Sequence, residues 1–368
     1  MVKIRLFVTA FLFVLCWCEP SVRAQRMSVT SPEVTLNGNV TFRLRAPNAK
    51  SVLLRGQWAQ KPIPLSLEVE DTWSLTLPDV PSGIWEYQFI VDGLAILDPT
   101  NPAIKPQRQP NTSILHLPSQ PAKPWDFQNL PHGTVHQHSQ KSASLAMLRD
   151  LWVYTPPGYE AEPTKRYPLL VLQHGSGDRH DTWVVHGKAH WILDHLIAAG
   201  KAVPMIVMMI DGHPLGMVPR DQAARRAESL KAFQTELLHE ALPFVEKHYR
   251  IQPGAEKHAI AGLSMGGWQS VSVGMNHLDV FSSIASFSGA IDVTEIQPAL
   301  SQPEITREKL RLLWVACGKE DFLLDRNHEL ITKLKAKNIQ HEWLMTEGGH
   351  SWPIWRQYFV DLAPRLFR

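Results

Sequence analysis

Four short, almost uninterrupted apolar segments constrain the fold of this chain more than any other feature. They lie at residues 167–173, 204–210, 258–263 and 311–317. Strands that are apolar along their whole length are covered on both faces, as in parallel sheets. Helical patterns separate these segments, at residues 189–199, 229–249, 267–276 and 326–337. The alternation predicts an α/β domain with a mostly parallel sheet and helices on both of its faces.

The region before this domain has a different pattern. Residues 27–118 contain short alternating segments bounded by turn residues, with no helical stretch between them. Such spacing is typical of a β-sandwich. Residues 107–131 are rich in proline and polar side chains, and we interpret them as a strand end followed by a linker at 119–130. The α/β domain would then occupy residues 131–368.

The N-terminus has the pattern of a secretory signal peptide at residues 1–24. Lys3 and Arg5 precede an apolar run at 6–18, and Val22-Arg-Ala24 places small residues where a signal peptidase cuts. The run is shorter than the roughly 20 residues of a membrane span, although an uncleaved anchor is the alternative. Cleavage would leave Cys317 without a cysteine partner, which excludes an internal disulfide. We expect a secreted or periplasmic protein.

Composition and charge exclude several classes of protein. The chain has 37 Lys and Arg against 35 Asp and Glu, a net charge of +2, so nothing indicates a nucleic-acid partner. Hydrophobic residues make up 44%, which excludes a mostly disordered chain. The histidines lack metal-ligand spacing, and no glycine-rich phosphate loop is present, so no metal and no cofactor are expected. The oligomeric state is left open.

The segment Gly262-Leu-Ser-Met-Gly266 carries most of the functional information. It matches G-x-S-x-G between an expected buried strand and an expected helix, the context of a nucleophile elbow. Such a turn would expose the hydroxyl of Ser264 and place the Met265 backbone N–H where it can stabilise an oxyanion. The alternative is a purely structural turn.

A serine nucleophile needs a base and an orienting acid, which follow it in this fold in the order acid, then histidine. His350 is the best base, because it lies late in the chain in a glycine-rich loop after a strand-like segment. Asp321 is the favoured acid, since it follows the end of the preceding strand. The alternative acids are Glu320, Asp325 and Asp292.

The second oxyanion donor is expected from the loop after an early strand, at residues 174–178. The backbone N–H of Ser176 is the favoured donor, although this loop could simply be a turn into the next helix. Three tryptophans near the predicted loops could form an aromatic wall for the substrate, with core packing as the alternative. They are Trp183, Trp268 and Trp352.

Several stretches closely match one known family. They are residues 154–159, 174–178, 200–207, 245–250, 261–267, 317–322 and 348–352, followed by Trp355 and Arg356. The α/β region resembles carbohydrate esterase family 1, the esterase-D-like group of feruloyl and acetylxylan esterases. The resemblance implies an α/β-hydrolase fold without a cofactor. It also implies a triad of Ser264, Asp321 and His350, with oxyanion amides from Met265 and Ser176.

The N-terminal region resembles immunoglobulin-like modules of the family-48 carbohydrate-binding type. Residues 42–47, 83–93 and 97–99 carry this resemblance. Trp58, Trp73 and Trp85 could stack on sugars, with core or interdomain packing as the alternative. The chain departs from the esterase family at Asp211, often an asparagine, and at Trp268, often a smaller residue.

These patterns support three hypotheses of different kinds. The first is a secreted serine esterase that hydrolyses feruloyl or acetyl esters on plant xylan, with a substituted polysaccharide or oligosaccharide as substrate. The second is an esterase of the same fold for a catecholate siderophore, like the two-domain enterochelin esterases. Those enzymes are typically cytoplasmic, which the signal peptide argues against. The third is a glycan-binding protein with an inactive hydrolase domain.

Overall fold

The computed structural model describes residues 29–68, 71–219 and 221–368. The predicted signal peptide at residues 1–24 lies outside the described residues. Two regions follow each other along the chain: a β-sandwich, and an α/β region built on one large sheet. Each helix in these ranges is too short or too polar to cross a membrane.

The sandwich consists of two antiparallel sheets, ordered β1-β2-β6-β5 and β4-β3-β7-β8, with β9 also paired to β7. Its strands are β1 (Glu33–Val34), β2 (Val40–Arg45), β3 (Val52–Gly56), β4 (Ile63–Pro64), β5 (Ser66–Leu67), β6 (Thr72–Leu77), β7 (Gly83–Val91), β8 (Leu94–Ile96) and β9 (Ser113–Leu117). Alternate residues point inward, so Phe42 and Leu44 of β2 meet Leu54 of β3 and Phe89 of β7 in one core. This arrangement confirms the predicted β-sandwich.

The three tryptophans of this region contribute to its packing. Trp58, Trp73 and Trp85 are partly buried against the sandwich core. The Trp58 ring lies 5.8 Å from that of Phe42, in a stacked arrangement. Trp73 donates its indole N–H to the carbonyl of Ala46. These contacts favour packing over sugar stacking.

The α/β region has an eight-stranded sheet in the order β10-β11-β13-β12-β14-β15-β16-β17. Its strands are β10 (Thr134–Ser142), β11 (Met147–Thr155), β12 (Leu169–Gln173), β13 (Ile206–Ile210), β14 (His258–Leu263), β15 (Ser283–Phe287), β16 (Leu312–Gly318) and β17 (Glu342–Thr346). The first two strands form an antiparallel hairpin at one edge, and the other six are parallel. The topology confirms the predicted α/β-hydrolase fold.

Helices cover both faces of this sheet. They are α1 (Thr182–Val185), α2 (Ala189–Ala198), α3 (Ala223–Glu236), α4 (Leu242–His248), α5 (Met265–Asn276), α6 (Gln297–Ser301), α7 (Pro303–Lys309), α8 (Leu324–Ala336) and α9 (Trp352–Leu362). Two separate hydrophobic clusters result, one on each face. The carboxyl ends of the parallel strands lie at one edge, where this class of fold places its functional loops.

Three elements differ from the sequence prediction. The strand β15 and the hairpin β10–β11 were not predicted. The long helix predicted at 229–249 begins earlier, at Ala223, and is interrupted by a π-helical segment at Leu237–Ala241. Pro243 lies just after this segment, and a proline has no N–H to donate back along the helix. The helix therefore widens into a π-helical turn just before the proline.

Candidate active site

Ser264 lies on the sharp turn that joins β14 to α5. Its backbone has φ 52° and ψ −112°, a region that residues with a side chain rarely adopt. The two flanking positions must be glycine, because a side chain there would collide with neighbouring backbone atoms. A Cβ at Gly262 would lie 2.5 Å from the Gly266 backbone, and one at Gly266 would lie 2.5 Å from the carbonyl oxygen of His174. The turn is further held by the Ser264 N–H, which donates to the carbonyl of Phe287 at 2.9 Å.

His350 lies on the loop between β17 and α9 and reaches the serine. Its Nε2 is 2.9 Å from Ser264 Oγ. Two aromatic rings contact the imidazole, Phe322 at 4.5 Å and Trp355 at 4.8 Å between centroids. These contacts and the hydrogen bonds of both ring nitrogens hold the imidazole toward the hydroxyl.

Asp321 lies on the loop after β16 and completes the chain of hydrogen bonds. Its Oδ2 and Oδ1 are 2.8 and 3.0 Å from His350 Nδ1. Oδ1 also accepts the backbone N–H of Leu323 at 2.9 Å. Burial raises the pKa of this carboxyl, but the hydrogen bonds from His350 and Leu323 outweigh burial and hold the pKa below its usual value. The carboxylate is therefore ionised near neutral pH.

The loops that carry this acid and this base cross each other at two glycines. A Cβ on Gly318, at the end of β16, would lie 1.9 Å from the carbonyl oxygen of Gly348. Any side chain at residue 318 would push the two loops apart. Gly318 and Gly348 thus set the spacing between the loops that carry Asp321 and His350.

The two predicted oxyanion donors border the same cavity as the serine. Met265 is the first residue of α5, so its N–H has no partner within the helix. Ser176 lies in the loop after β12. In that loop Gly175 packs against the elbow, since a Cβ there would lie 3.5 Å from the Ser264 Cβ. The structure thus brings Ser264, Met265 and Ser176 together.

A cavity of about 310 Å³ opens in front of Ser264. This volume is at the lower end for small-molecule sites. Trp268 lines it, and its indole N–H donates to Glu295 at 2.5 Å. The guanidinium of Arg226 lies 4.9 Å from the centroid of the Trp268 ring. Arg326 lines the cavity as well.

Sequence reasoning missed several lining residues, among them His213, Arg226, Phe322 and Arg326. The arginines lie on helices far apart in the chain, and no motif marks them. Phe322 is the last residue of the matched stretch 317–322, and His213 lies two residues after Asp211, but neither was assigned to the site.

Two of the predicted aromatic contacts are wrong. Trp183 and Trp352 are 0% and 2% exposed and belong to the hydrophobic cluster on one face of the sheet. Their rings pack at 4.9 Å, and the Trp183 indole N–H donates to the Gln173 carbonyl. Both indoles therefore pack in the hydrophobic core. Of the three predicted tryptophans, only Trp268 lines the cavity.

Asp211, where the sequence departs from the family, lies in a group of charges beside the cavity. Arg108 donates to its Oδ2 at 2.5 Å, and Arg149 lies 3.6 Å from the same oxygen. Burial raises the pKa of Asp211, but the interaction with His174 and the charges of Arg149 and Arg108 outweigh burial and hold the pKa well below its usual range. The carboxylate accepts the backbone N–H of His213 at 2.9 Å, which fixes the loop that carries this histidine.

The comparisons with known proteins agree with this geometry. The family model described as putative esterase matches residues 142–366. An endo-1,4-beta-xylanase/feruloyl esterase of Xylanibacter ruminicola is 29% identical over 355 residues, which cover 92% of this chain and 46% of that protein. The chain therefore spans less than half the length of that relative.

Two further similarities cover different shares of the chain. An iron(III) enterobactin esterase of Escherichia coli strain CFT073 is 25% identical over 320 residues, 83% of this chain and 73% of that protein. A solved structure of a ferulic acid esterase has 25% identity and a TM-score of 0.56, covering 65% of this chain and 100% of the other. These findings confirm the resemblance to feruloyl esterases that the motifs indicated.

Proposed function

Given that this chain belongs to the putative esterase family and is a carboxylic ester hydrolase, we propose that it is a secreted serine esterase acting on feruloyl or acetyl esters of plant xylan. The single observation that carries the serine mechanism is the hydrogen-bonded series from Asp321 through His350 to Ser264. The similarity to the xylanase/feruloyl esterase supports the choice of substrate.

In the proposed first half-reaction, Ser264 Oγ attacks the ester carbonyl while His350 Nε2 takes the hydroxyl proton. Asp321 keeps the Nδ1–H of the imidazole oriented and stabilises the imidazolium that forms. The carbonyl oxygen becomes an oxyanion, which the N–H groups of Met265 and Ser176 stabilise. His350 then gives its proton to the leaving sugar oxygen, and an acyl-enzyme on Ser264 remains.

In the second half-reaction, water replaces the sugar. His350 Nε2 takes a proton from the water as the water attacks the acyl carbonyl, and the same two N–H groups stabilise the second oxyanion. Collapse of this intermediate returns the proton to Ser264 Oγ and releases the carboxylic acid. An aromatic acyl group would pack against Trp268, whose ring borders the cavity.

A second candidate substrate is a catecholate siderophore ester. Similarity to the enterobactin esterase extends over 83% of the chain, which is more than the α/β region alone. The guanidinium groups of Arg226 and Arg326 border the cavity and suit a substrate that carries negative charge.

The decisive experiment measures product release by the purified protein beside Ser264→Ala. The substrates are a feruloylated arabinoxylan oligosaccharide, acetylated xylan and a catecholate siderophore ester. We expect ferulate release that falls about a thousandfold or more in the variant. Acetate release alone would move the substrate to acetylxylan, and siderophore cleavage alone would favour the second candidate. If none of these, nor an aryl acetate, gave turnover that depends on Ser264, the serine mechanism would be refuted.

Secretion is tested separately, by expressing the full chain in a bacterial host and determining the N-terminus of the exported protein. Cleavage after Ala24 is the expected result. A protein that stays in the cytoplasm with its first 24 residues intact would contradict this part of the proposal.

A further inference from the structure

A short segment of the N-terminal region, residues 105–108, lies directly on the loop that contains Ser176. Gln107 and Asp178 form an antiparallel bridge between the two regions. The N–H of Arg108 donates to the carbonyl of Gly177 at 2.8 Å. The backbone of this loop is thus paired with backbone from the other domain.

Charged side chains reinforce the same contact from the N-terminal side. Lys105 Nζ lies 3.3 Å from Asp178 Oδ1 and 3.3 Å from Glu86 Oε1. All three side chains are at most 10% exposed, so the lysine lies in an almost dry interface. Buried charges stay in place only when they are paired, because an unpaired one is strongly destabilising. Lys105 therefore fixes Asp178 relative to β7 of the sandwich.

Arg108 holds the neighbouring loop of the hydrolase region. Its guanidinium donates to Asp211 Oδ2 at 2.5 Å and to the carbonyl of His213 at 3.2 Å. His213 Nε2 in turn accepts the N–H of Gly177 at 3.0 Å. Burial lowers the pKa of His213 to about 3, so the ring is neutral and able to accept this bond near neutral pH.

The residues after Ser176 are consequently fixed from two directions. Gly177 donates to His213 on one side and accepts from Arg108 on the other. Gly175, before Ser176, packs against the nucleophile elbow. A shift of this loop, which carries the Ser176 N–H, would break backbone and side-chain contacts with residues 105–108.

We propose that Lys105 and Arg108 are positioning residues for the oxyanion hole, so that the N-terminal domain completes the active site of the hydrolase. The inference rests on the proposed function, in which the Ser176 N–H stabilises the oxyanion. Donors of this kind act because they are fixed before the charge develops. A displacement of about 1 Å in a catalytic group can cost roughly a hundredfold in rate. The sandwich thus affects turnover even of substrates too small to touch it.

The test uses the full chain with an aryl acetate as substrate. Arg108→Met removes the guanidinium with little change in length, and Arg108→Lys restores the positive charge. Arg43→Met is the matched control, since Arg43 forms a partly exposed pair with Glu33 elsewhere on the sandwich. Titration with a phosphonate that labels Ser264 counts the active sites in each preparation. This count separates loss of rate from loss of folded protein.

We expect Arg108→Met to lower kcat per titrated site about tenfold with KM changed less than twofold, and Arg108→Lys to recover most of the loss. The Kd of an aryl boronic acid gives an independent readout. Its adduct with Ser264 is tetrahedral and directs an oxygen at the oxyanion donors, so this Kd should weaken in proportion to kcat. Lys105→Met should act in the same direction. Arg43→Met should match the wild type in kcat, KM and boronate Kd.

The inference is overturned if Arg108→Met and Lys105→Met lower only the number of titratable sites. In that case kcat per site and boronate affinity would equal those of the wild type, and the loop would hold its position without the sandwich. The proposed function fails by a different result, namely aryl acetate turnover that survives Ser264→Ala.

Discussion

At the scale of single residues, the backbone of Ser264 is the most demanding feature. A side-chain-bearing residue at φ 52° and ψ −112° costs about 1–3 kcal/mol. The conformation persists because the Ser264 N–H is bonded to Phe287 and because Gly262 and Gly266 allow the strand and helix to approach closely. Part of the folding free energy of the large sheet therefore offsets the strain that places the Ser264 hydroxyl in front of His350.

The triad acid gives the first residue-scale prediction. Asp321→Asn removes the charge that stabilises the imidazolium and favours the wrong tautomer of His350. We expect kcat on an aryl acetate to fall by roughly 10³-fold or more, with KM nearly unchanged. Glu320→Gln, at the adjacent exposed position, should leave kcat within a factor of two. Equal activity of Asp321→Asn and the wild type would exclude Asp321 as the triad acid.

Trp268 and Trp183 provide a second pair of variants. Trp268→Leu removes an aromatic face from the cavity, so KM for a feruloyl ester should rise about tenfold while KM for an aryl acetate changes much less. Trp183→Phe loses core volume and the hydrogen bond to Gln173. It should lower the free energy of unfolding by about 1–3 kcal/mol and leave the ratio of the two KM values unchanged. Steady-state kinetics measure the first effect and urea unfolding the second. If Trp183→Phe raised KM for the feruloyl ester and Trp268→Leu did not, the placement of these indoles would be contradicted.

At the scale of elements, the crossing of the loops after β16 and β17 is the sensitive point. Gly318→Ala would place a Cβ 1.9 Å from the Gly348 carbonyl oxygen, whereas at Gly349 the nearest neighbour of a Cβ would be 3.5 Å away. We expect Gly318→Ala to lower kcat at least tenfold and the free energy of unfolding by about 1–3 kcal/mol. Gly349→Ala should be close to wild type in both. Full activity of Gly318→Ala would show that the loops separate without moving the triad.

The same elements explain how far sequence reasoning reaches. The strand β14 and the helix α5 were predictable, because an apolar run, a glycine pattern and a helical period all agree there. The strand β15 was missed because Ser283 and Ser286 interrupt its apolar pattern, although the surrounding sheet buries both. The placement of Trp183 and Trp352 was also beyond prediction, since nearness in sequence to a functional loop does not determine which side of the sheet an indole reaches.

At the scale of the whole molecule, buried polar groups join the two regions. Glu86 on β7 accepts from Thr112 at 2.8 Å and lies 3.3 Å from Lys105 and 3.4 Å from His186 of the hydrolase region. Arg356 on α9, 1% exposed, donates to the carbonyl of Ile84 in the sandwich. Because such groups tolerate separation poorly, we expect the two regions to unfold together.

Glu86 makes this coupling depend on pH. Burial raises its pKa, but the bonds to His186 and Thr112 and the charge of Lys105 prevail and lower it from 4.5 to about 2. The folded-state pKa is depressed, so the stabilisation is fully present above about pH 4.5 and is lost as pH falls toward 2. Glu86→Gln should cost roughly 3 kcal/mol at pH 7, a difference that shrinks below pH 4.5.

Urea unfolding at pH 7, 5 and 3 measures the effect of Glu86→Gln. The control is Glu33→Gln, which removes an exposed carboxylate and should change the free energy of unfolding by at most about 1 kcal/mol at each pH. A difference between Glu86→Gln and the wild type that stayed constant from pH 7 to pH 3 would contradict a depressed pKa.

The pairing of Asp178 with Lys105 also restricts how this gene could be rearranged. Domains that meet through exposed surfaces can be exchanged by recombination with little penalty. Here an exchange of the N-terminal domain would leave Asp178 buried without its cation, unless the incoming domain supplied a lysine at the same point. The two domains should therefore be inherited as a unit, with any change at residue 105 tolerated only alongside a compensating change at residue 178.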